Sequence, residues 1–164
     1  MAEVICDTSP MQYLHQLGVL HLLPHLAERV LVPQAVVDEL AVGRSLGFNV
    51  PDPAALAWVE ILNPSSAVVL PLVTGLGPGE TAVLALGLER PGTVVVLDDR
   101  LARRTAEALG IPLTGTLGVL IDAKRQGLVP EVTPLLDQLE DLGFRLSARM
   151  RAAVLSVAGE SSSP

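Results

Sequence analysis

Short aliphatic runs alternate along this chain with longer stretches that place an apolar residue every three or four positions. Apolar runs without polar alternation mark strands buried on both faces. They predict strands at Glu3–Cys6, Val30–Val32, Thr93–Leu97 and Ile111–Leu113. Val59–Leu62 and Val68–Val73 are weaker candidates, because Pro64 and Pro71 confine them to edges or irregular segments. Between these lie helical patterns. Thr8, Ser9 and Pro10 open a short helix over Met11–Leu17, broken at Gly18, and Val19–Leu26 is a second one interrupted by Pro24. Pro33 opens Gln34–Leu46, whose Val36, Val37, Leu40 and Ala41 keep helical spacing. Gly47–Pro53 reads as loop and Ala54–Trp58 as a helical turn. Glu80–Leu88 is apolar nearly all round, as a buried helix is. Arg100–Leu109 ends at Gly110, Leu117–Gln126 closes at Gly127, a helix opening at Pro130 or Thr133 runs to Leu142, and Ser147–Val157 is the last. Residues 158–164 are expected to be a disordered tail behind a single domain over 1–157.

Strands alternating with helices predict an α/β fold, a three-layer α/β/α sandwich on a short parallel sheet. Right-handed crossovers then bring every strand's C-terminal end to one edge. At 164 residues the chain is sized for one core. With only four Phe, Trp or Tyr residues, that core must be aliphatic. No apolar run reaches the roughly 18 residues of a membrane span, and the N-terminal segment lacks the basic start of a signal peptide. A soluble, cytoplasmic protein is the expectation. The single cysteine, Cys6, excludes a disulfide framework and reads as a small core residue within the first strand. The three histidines fall in one early segment, which argues against a His-based triad and makes them surface residues.

The net charge of −7 alone argues against a nucleic-acid binder. The charge is uneven, however: Arg100, Arg103, Arg104, Lys124 and Arg125 gather five of the eleven basic residues into 26 positions. Arg100, Arg103 and Arg104 share one helical face. That face is either solvated or a phosphate-contacting rim beside a site.

The acids carry the chemistry. Asp98 and Asp99 end the Thr93–Leu97 strand, where ligands bind in open α/β sheets. Asp7 ends the first strand, and Glu39 and Glu80 follow loops that leave the same edge. Each alone is readily explained by helix capping. Together they form an oxygen-rich cluster that selects a hard cation, Mg²⁺ or Mn²⁺, over Zn²⁺. Two such ions can clamp an in-line displacement at phosphorus. The Gly-rich stretch Gly75–Glu80 lacks the Lys and hydroxyl of a phosphate loop.

The ordered set of Asp7-Thr8-Ser9, VVDEL with Glu39, GPGETAVLAL with Glu80, VVVLDDRLAR and LTGTLGVLIDAKRQG resembles the PIN-domain superfamily. It is most similar to a prokaryotic branch with LDDxxAR and TGT motifs, related to VapC-type toxins. The resemblance implies a metal-dependent ribonuclease acting on RNA, often the dimeric toxin of a type II toxin–antitoxin pair inhibited by a small antitoxin. It places Asp7, Glu39, Glu80 and either Asp98 or Asp99 at the acidic positions, with Asp7, Glu80, Asp98 and Asp99 as metal ligands. Ser9 and Thr116 match supporting hydroxyls, and Arg100, Arg103, Arg104 and Lys124 are the implied RNA contacts. Glu80 stands where toxin-type members often carry the shorter Asp. The competing reading is a catalytically inactive binding module that keeps its acids as caps. In that reading Leu14, Leu17, Leu20, Leu22 and Leu23 are either a partner surface or, as most leucines are, core.

Overall fold

The computed structural model describes residues 1–65 and 75–160. The Val68–Val73 strand candidate and the SSSP tail lie outside them. Five parallel strands form one sheet in the order β3-β2-β1-β4-β5: β1 (Glu3–Cys6), β2 (Arg29–Val32), β3 (Val59–Ile61), β4 (Val94–Val96) and β5 (Leu113–Thr114). The chain steps outward from β1 to β2 and β3, then crosses back to the other side of β1 for β4 and β5. Right-handed crossovers in opposite directions put helices on opposite faces, which gives the three-layer α/β sandwich.

Helices α1 (Thr8–Gln16) and α2 (Leu23–Leu26) pack with α6 (Thr116–Arg125), and α6 packs with α8 (Ala148–Val157). On the other face α4 (Pro78–Glu89) lies on β1 and β4 and meets α5 (Arg100–Ala108). Helix α3 (Gln34–Ser45) contacts both α1 and α4, and α7 (Thr133–Asp141) precedes α8. A 3₁₀ turn spans Leu20–Leu22, so Pro24 falls in the first turn of α2 instead of interrupting a longer helix. A second covers Pro53–Ala55 where a helical turn is expected.

The core is aliphatic. Val4, Ile5, Leu31, Val32, Val95, Val96 and Leu97 are buried from the sheet, and Met11, Leu40, Leu84, Leu120 and Leu136 are buried from the helices. Leu14, Leu17, Leu20, Leu22 and Leu23 all belong to this core, so they form no partner surface. Cys6 is fully buried, and burial pushes its thiol well above its ordinary pKa. No helix among the described residues is long and apolar enough to cross a membrane.

Two boundaries differ from expectation. β5 starts at Leu113, not Ile111, because the Ile111 N–H closes the end of α5 on the Ala106 carbonyl and Pro112 has no N–H to give. Residues 158–160 are not tail. Ala158 is buried, and Glu160 accepts from Lys124 Nζ (2.7 Å), Val132 N (2.8 Å), and Thr133 N and Oγ1 (3.0 and 2.7 Å). Burial alone would raise the Glu160 pKa; these donors bring it down to about 2.

Candidate active site

The strand order reverses between β1 and β4, and at such a switch point the two adjoining loops part to leave a crevice. Asp7 follows β1 and Asp98 follows β4, so both stand at this crevice. Asp98 is held by three donors. Thr116 N (2.8 Å) reaches its Oδ1, and Thr116 Oγ1 (2.7 Å) and Ser9 Oγ (3.2 Å) reach its Oδ2. Asp99 caps α5 through Oδ2 and Ala102 N (2.9 Å), which leaves Oδ1 without a partner among the described residues. Glu80 reaches back from the first turn of α4 to Gly77 N (3.1 Å) with Oε2, and its other oxygen is likewise free. Glu39, projecting from α3, accepts from Thr8 Oγ1 (2.6 Å) and from Gly79 N (2.7 Å).

Asp7 is the exception among these acids. It occupies the N-cap position of α1, yet its side chain makes no capping bond. It is only 4 % exposed, and its Oδ1 is buried with no hydrogen-bond partner. An unpaired buried carboxylate oxygen is costly, and native folds retain few of them. Burial pushes the Asp7 pKa up to about 7; the Thr8 N–H opposes this, and the neighbouring charges of Glu80, Glu39 and Asp98 add to it. The Glu80 pKa is also raised, by burial first, against the Gly77 N–H and with Asp99 and Glu39 adding to the rise. These mutual effects bring the five dispersed acids into one electrostatic neighbourhood.

A family model described as a PIN domain (DUF3368) matches residues 3–160. The chain belongs to the PIN-domain family. No curated protein and no solved structure matches it. PIN domains are generally nucleases and typically use divalent metals.

In this PIN domain the orphaned Asp7 oxygen is what a hard cation would satisfy. Asp7 Oδ1, the free Glu80 oxygen and Asp99 Oδ1 are the lone pairs left over, whereas Asp98 and Glu39 are already engaged. No three Asp, Glu, His or Cys side chains among the described residues stand as a ready-made ligand set. The donor chemistry fits Mg²⁺ or Mn²⁺.

The supporting residues divide. Ser9 and Thr116 both bond Asp98, and Thr116 is fully buried. Arg103 turns inward to the Leu97 carbonyl (2.8 Å), while Arg100 and Arg104 are exposed. Lys124 is not with the site. Helix α6 starts at the carboxylate edge and runs back along the sheet, which carries Lys124 to the far end and into its pair with Glu160 (2.7 Å). Position in a basic run says nothing about which end of a helix a residue reaches.

Sequence reasoning missed Thr8 and Gly79. A Cβ on Gly79 would sit 2.7 and 2.9 Å from the Glu39 oxygens, so the GPGE glycine exists to let Glu39 in. Gly115 of the TGT motif is similar. A Cβ there would meet Arg103 Nη1 at 2.7 Å, Asp98 Oδ1 at 2.9 Å and the Leu97 carbonyl at 3.0 Å. A hydroxyl directly after a strand-ending Asp, and a Gly one residue before a candidate Glu, were the available signals.

Proposed function

We propose that this PIN domain is a Mg²⁺- or Mn²⁺-dependent endoribonuclease, hydrolysing phosphodiester bonds of single-stranded RNA. The observation that carries the reading is the buried, partnerless Asp7 oxygen in a neighbourhood of four other acids. The largely buried acids away from this edge, Glu3 and Glu160, are satisfied by donors; this one is not. Asp7, Glu80 and Asp99 would hold the cation with their free oxygens, and Asp98 borders them. When bound, the cation neutralises charge at the phosphate and lowers the pKa of its water.

The protein's own part is positional and protonic. Thr116 and Ser9 fix the Asp98 carboxylate, and Thr8 and the Gly79 N–H fix Glu39, so neither has to be ordered during reaction. Asp7, whose pKa burial and the neighbouring acids push up to about 7, would meet a cation as the carboxylate, so that binding would release a proton. A toxin role with a small antitoxin, and a homodimer, are supported by family resemblance alone; the early leucines supply no surface for either.

The absence of a ready-made ligand set among the described residues favours a second reading, a PIN domain that binds without cutting. One experiment separates the two. Single-stranded RNA is incubated with the protein and Mn²⁺ or Mg²⁺, with chelator and Asp7→Asn as controls. The nuclease reading expects cleavage that both controls abolish. Absence of cleavage by folded protein with either metal supports the second reading, and cleavage that survives Asp7→Asn overturns the assignment of the chemistry to Asp7.

A further inference from the structure

Arg29, Arg44, Arg90, Lys124, Arg125 and Arg151 each pair with a carboxylate. Arg100, Arg103, Arg104, Arg145 and Arg149 form no ion pair among the described residues. In a chain with 18 acidic residues against 11 basic ones, an arginine without a carboxylate is conspicuous. Four of these five line a single groove of about 1060 Å³.

The groove starts at Asp98 and Asp99 and passes the edge strand β5, between α5, α6 and α8. Arg100, Arg103 and Arg104 line it from α5, and Arg145 from the segment entering α8. Leu117, Ile121 and Met150 give it an apolar lining. Its outer wall is anchored. Phe144 packs edge-on to Tyr13 at 5.0 Å, Ser147 caps α8 through Met150 N (3.0 Å), and Glu160 ties α6 to the start of α7. The cations are therefore displayed on a preformed surface. Arg44, in the last turn of α3, is already spent on Asp52 and the Pro51 carbonyl.

The geometry points to this groove as the track for one flank of a single-stranded nucleic acid, gripped on a single side of the cleavage point. Phosphates meet Arg100, Arg104 and Arg145; bases meet Leu117, Ile121 and Met150. Unpaired cations interleaved with apolar surface suit a strand that carries phosphate and base in every unit. An acidic peptide would set charged side chains against that apolar lining. The inference rests on the nuclease reading and extends it, since it assigns the α8 region to substrate binding and makes the grip one-sided.

The test is binding of a short fluorescent oligouridylate to the full chain in chelator, so that cleavage plays no part, across a salt series. Arg104→Gln and Arg145→Gln, both exposed positions, should each weaken binding roughly 3- to 10-fold and flatten the slope of log affinity against log salt by about 0.7. Arg29→Gln, at the opposite edge of the sheet, should change neither. Met150→Ala should weaken the oligouridylate but not an abasic strand of equal length. Unchanged affinity and slope in the arginine variants overturn the inference, as does a wild type that binds no oligouridylate. Displacement of the oligouridylate by polyglutamate alone, with no arginine effect on RNA, would assign the groove to a protein partner. Cleavage by the wild type alongside unaltered binding by the variants would reject the groove and leave the nuclease reading standing. Groove binding without cleavage in metal would do the reverse.

Discussion

The two ends of β1 carry acids with opposite fates. Glu3 opens the strand and accepts from Arg90 Nε (2.5 Å) and Nη2 (2.8 Å), Arg29 Nη1 (2.8 Å) and Thr93 Oγ1 (2.8 Å). The Arg90 guanidinium, against the effect of burial and with help from Thr93 and Arg29, holds its pKa down to about 2. Arg29 also reaches Glu60 (2.6 Å), so the N-terminal edge of the sheet is a closed ladder of charge. Four residues further on, Asp7 has an oxygen with no partner and a pKa near 7. Glu3 is neutralised where it stands, by two arginines. The acids at the C-terminal edge receive hydroxyls and N–H groups, which orient a carboxylate without cancelling its charge.

The largest separation between the two ends is expected in activity. Asp7→Asn should lower RNA cleavage in Mn²⁺ by more than about 100-fold, while Glu3→Gln leaves it unchanged. A Glu3 variant that loses activity while remaining folded would break the contrast.

Stability should move in the opposite sense. Unfolded Asp7 ionises near 3.8 and folded Asp7 near 7, so the native state holds the extra proton between these values. The Asp7 contribution is most favourable below pH 3.8 and falls as pH climbs to about 7, by on the order of 4 kcal/mol. Metal-free Asp7→Asn should therefore melt above the wild type at pH 8, with the gap closing toward pH 4. Glu3 runs the other way: its contribution is complete above pH 4.5 and is lost as pH falls toward 2. Thermal melts across this range, with chelator present, read both windows.

Gly79→Ala tests how tightly the acidic end is packed. Its Cβ would collide with the Glu39 carboxylate, and overpacking of this kind costs about 1–3 kcal/mol. Chemical denaturation measures it, and a neutral result would show that Glu39 can leave Thr8 freely. The smallest expected effect is at the opposite edge, where Glu3→Gln should cost about 1–2 kcal/mol, part of the pairing being screened by solvent.

Most of the fold was legible because periodicity is local. The runs ending at Asp7 and Asp98 announce buried parallel strands, and the parallel sheet then forces their ends together. What was not legible depends on contacts across the chain. Thr8 meets Glu39 from 31 positions away and Gly79 meets it from 40, with nothing local to either side chain requiring it. Lys124 is close to Arg100–Arg104 in a count of basic residues, but it lies in the last turn of α6, where it pairs with Glu160. Asp98 and Asp99 follow the same strand and look alike in sequence; the difference in their hydrogen bonding, with Thr116 and Ser9 on Asp98 and one oxygen of Asp99 left free, comes from residues brought in from elsewhere in the chain.

The central claim is that the C-terminal edge of the sheet leaves Asp7 unsatisfied for a cation. Calorimetric titration of Mn²⁺ into the metal-free protein at pH 6 and pH 8 tests it without any substrate. The account predicts binding that releases protons and tightens with pH, is abolished in Asp7→Asn and is unchanged in Glu3→Gln. Equal Mn²⁺ binding by wild type and Asp7→Asn, or no binding by the folded wild type at either pH, would contradict it.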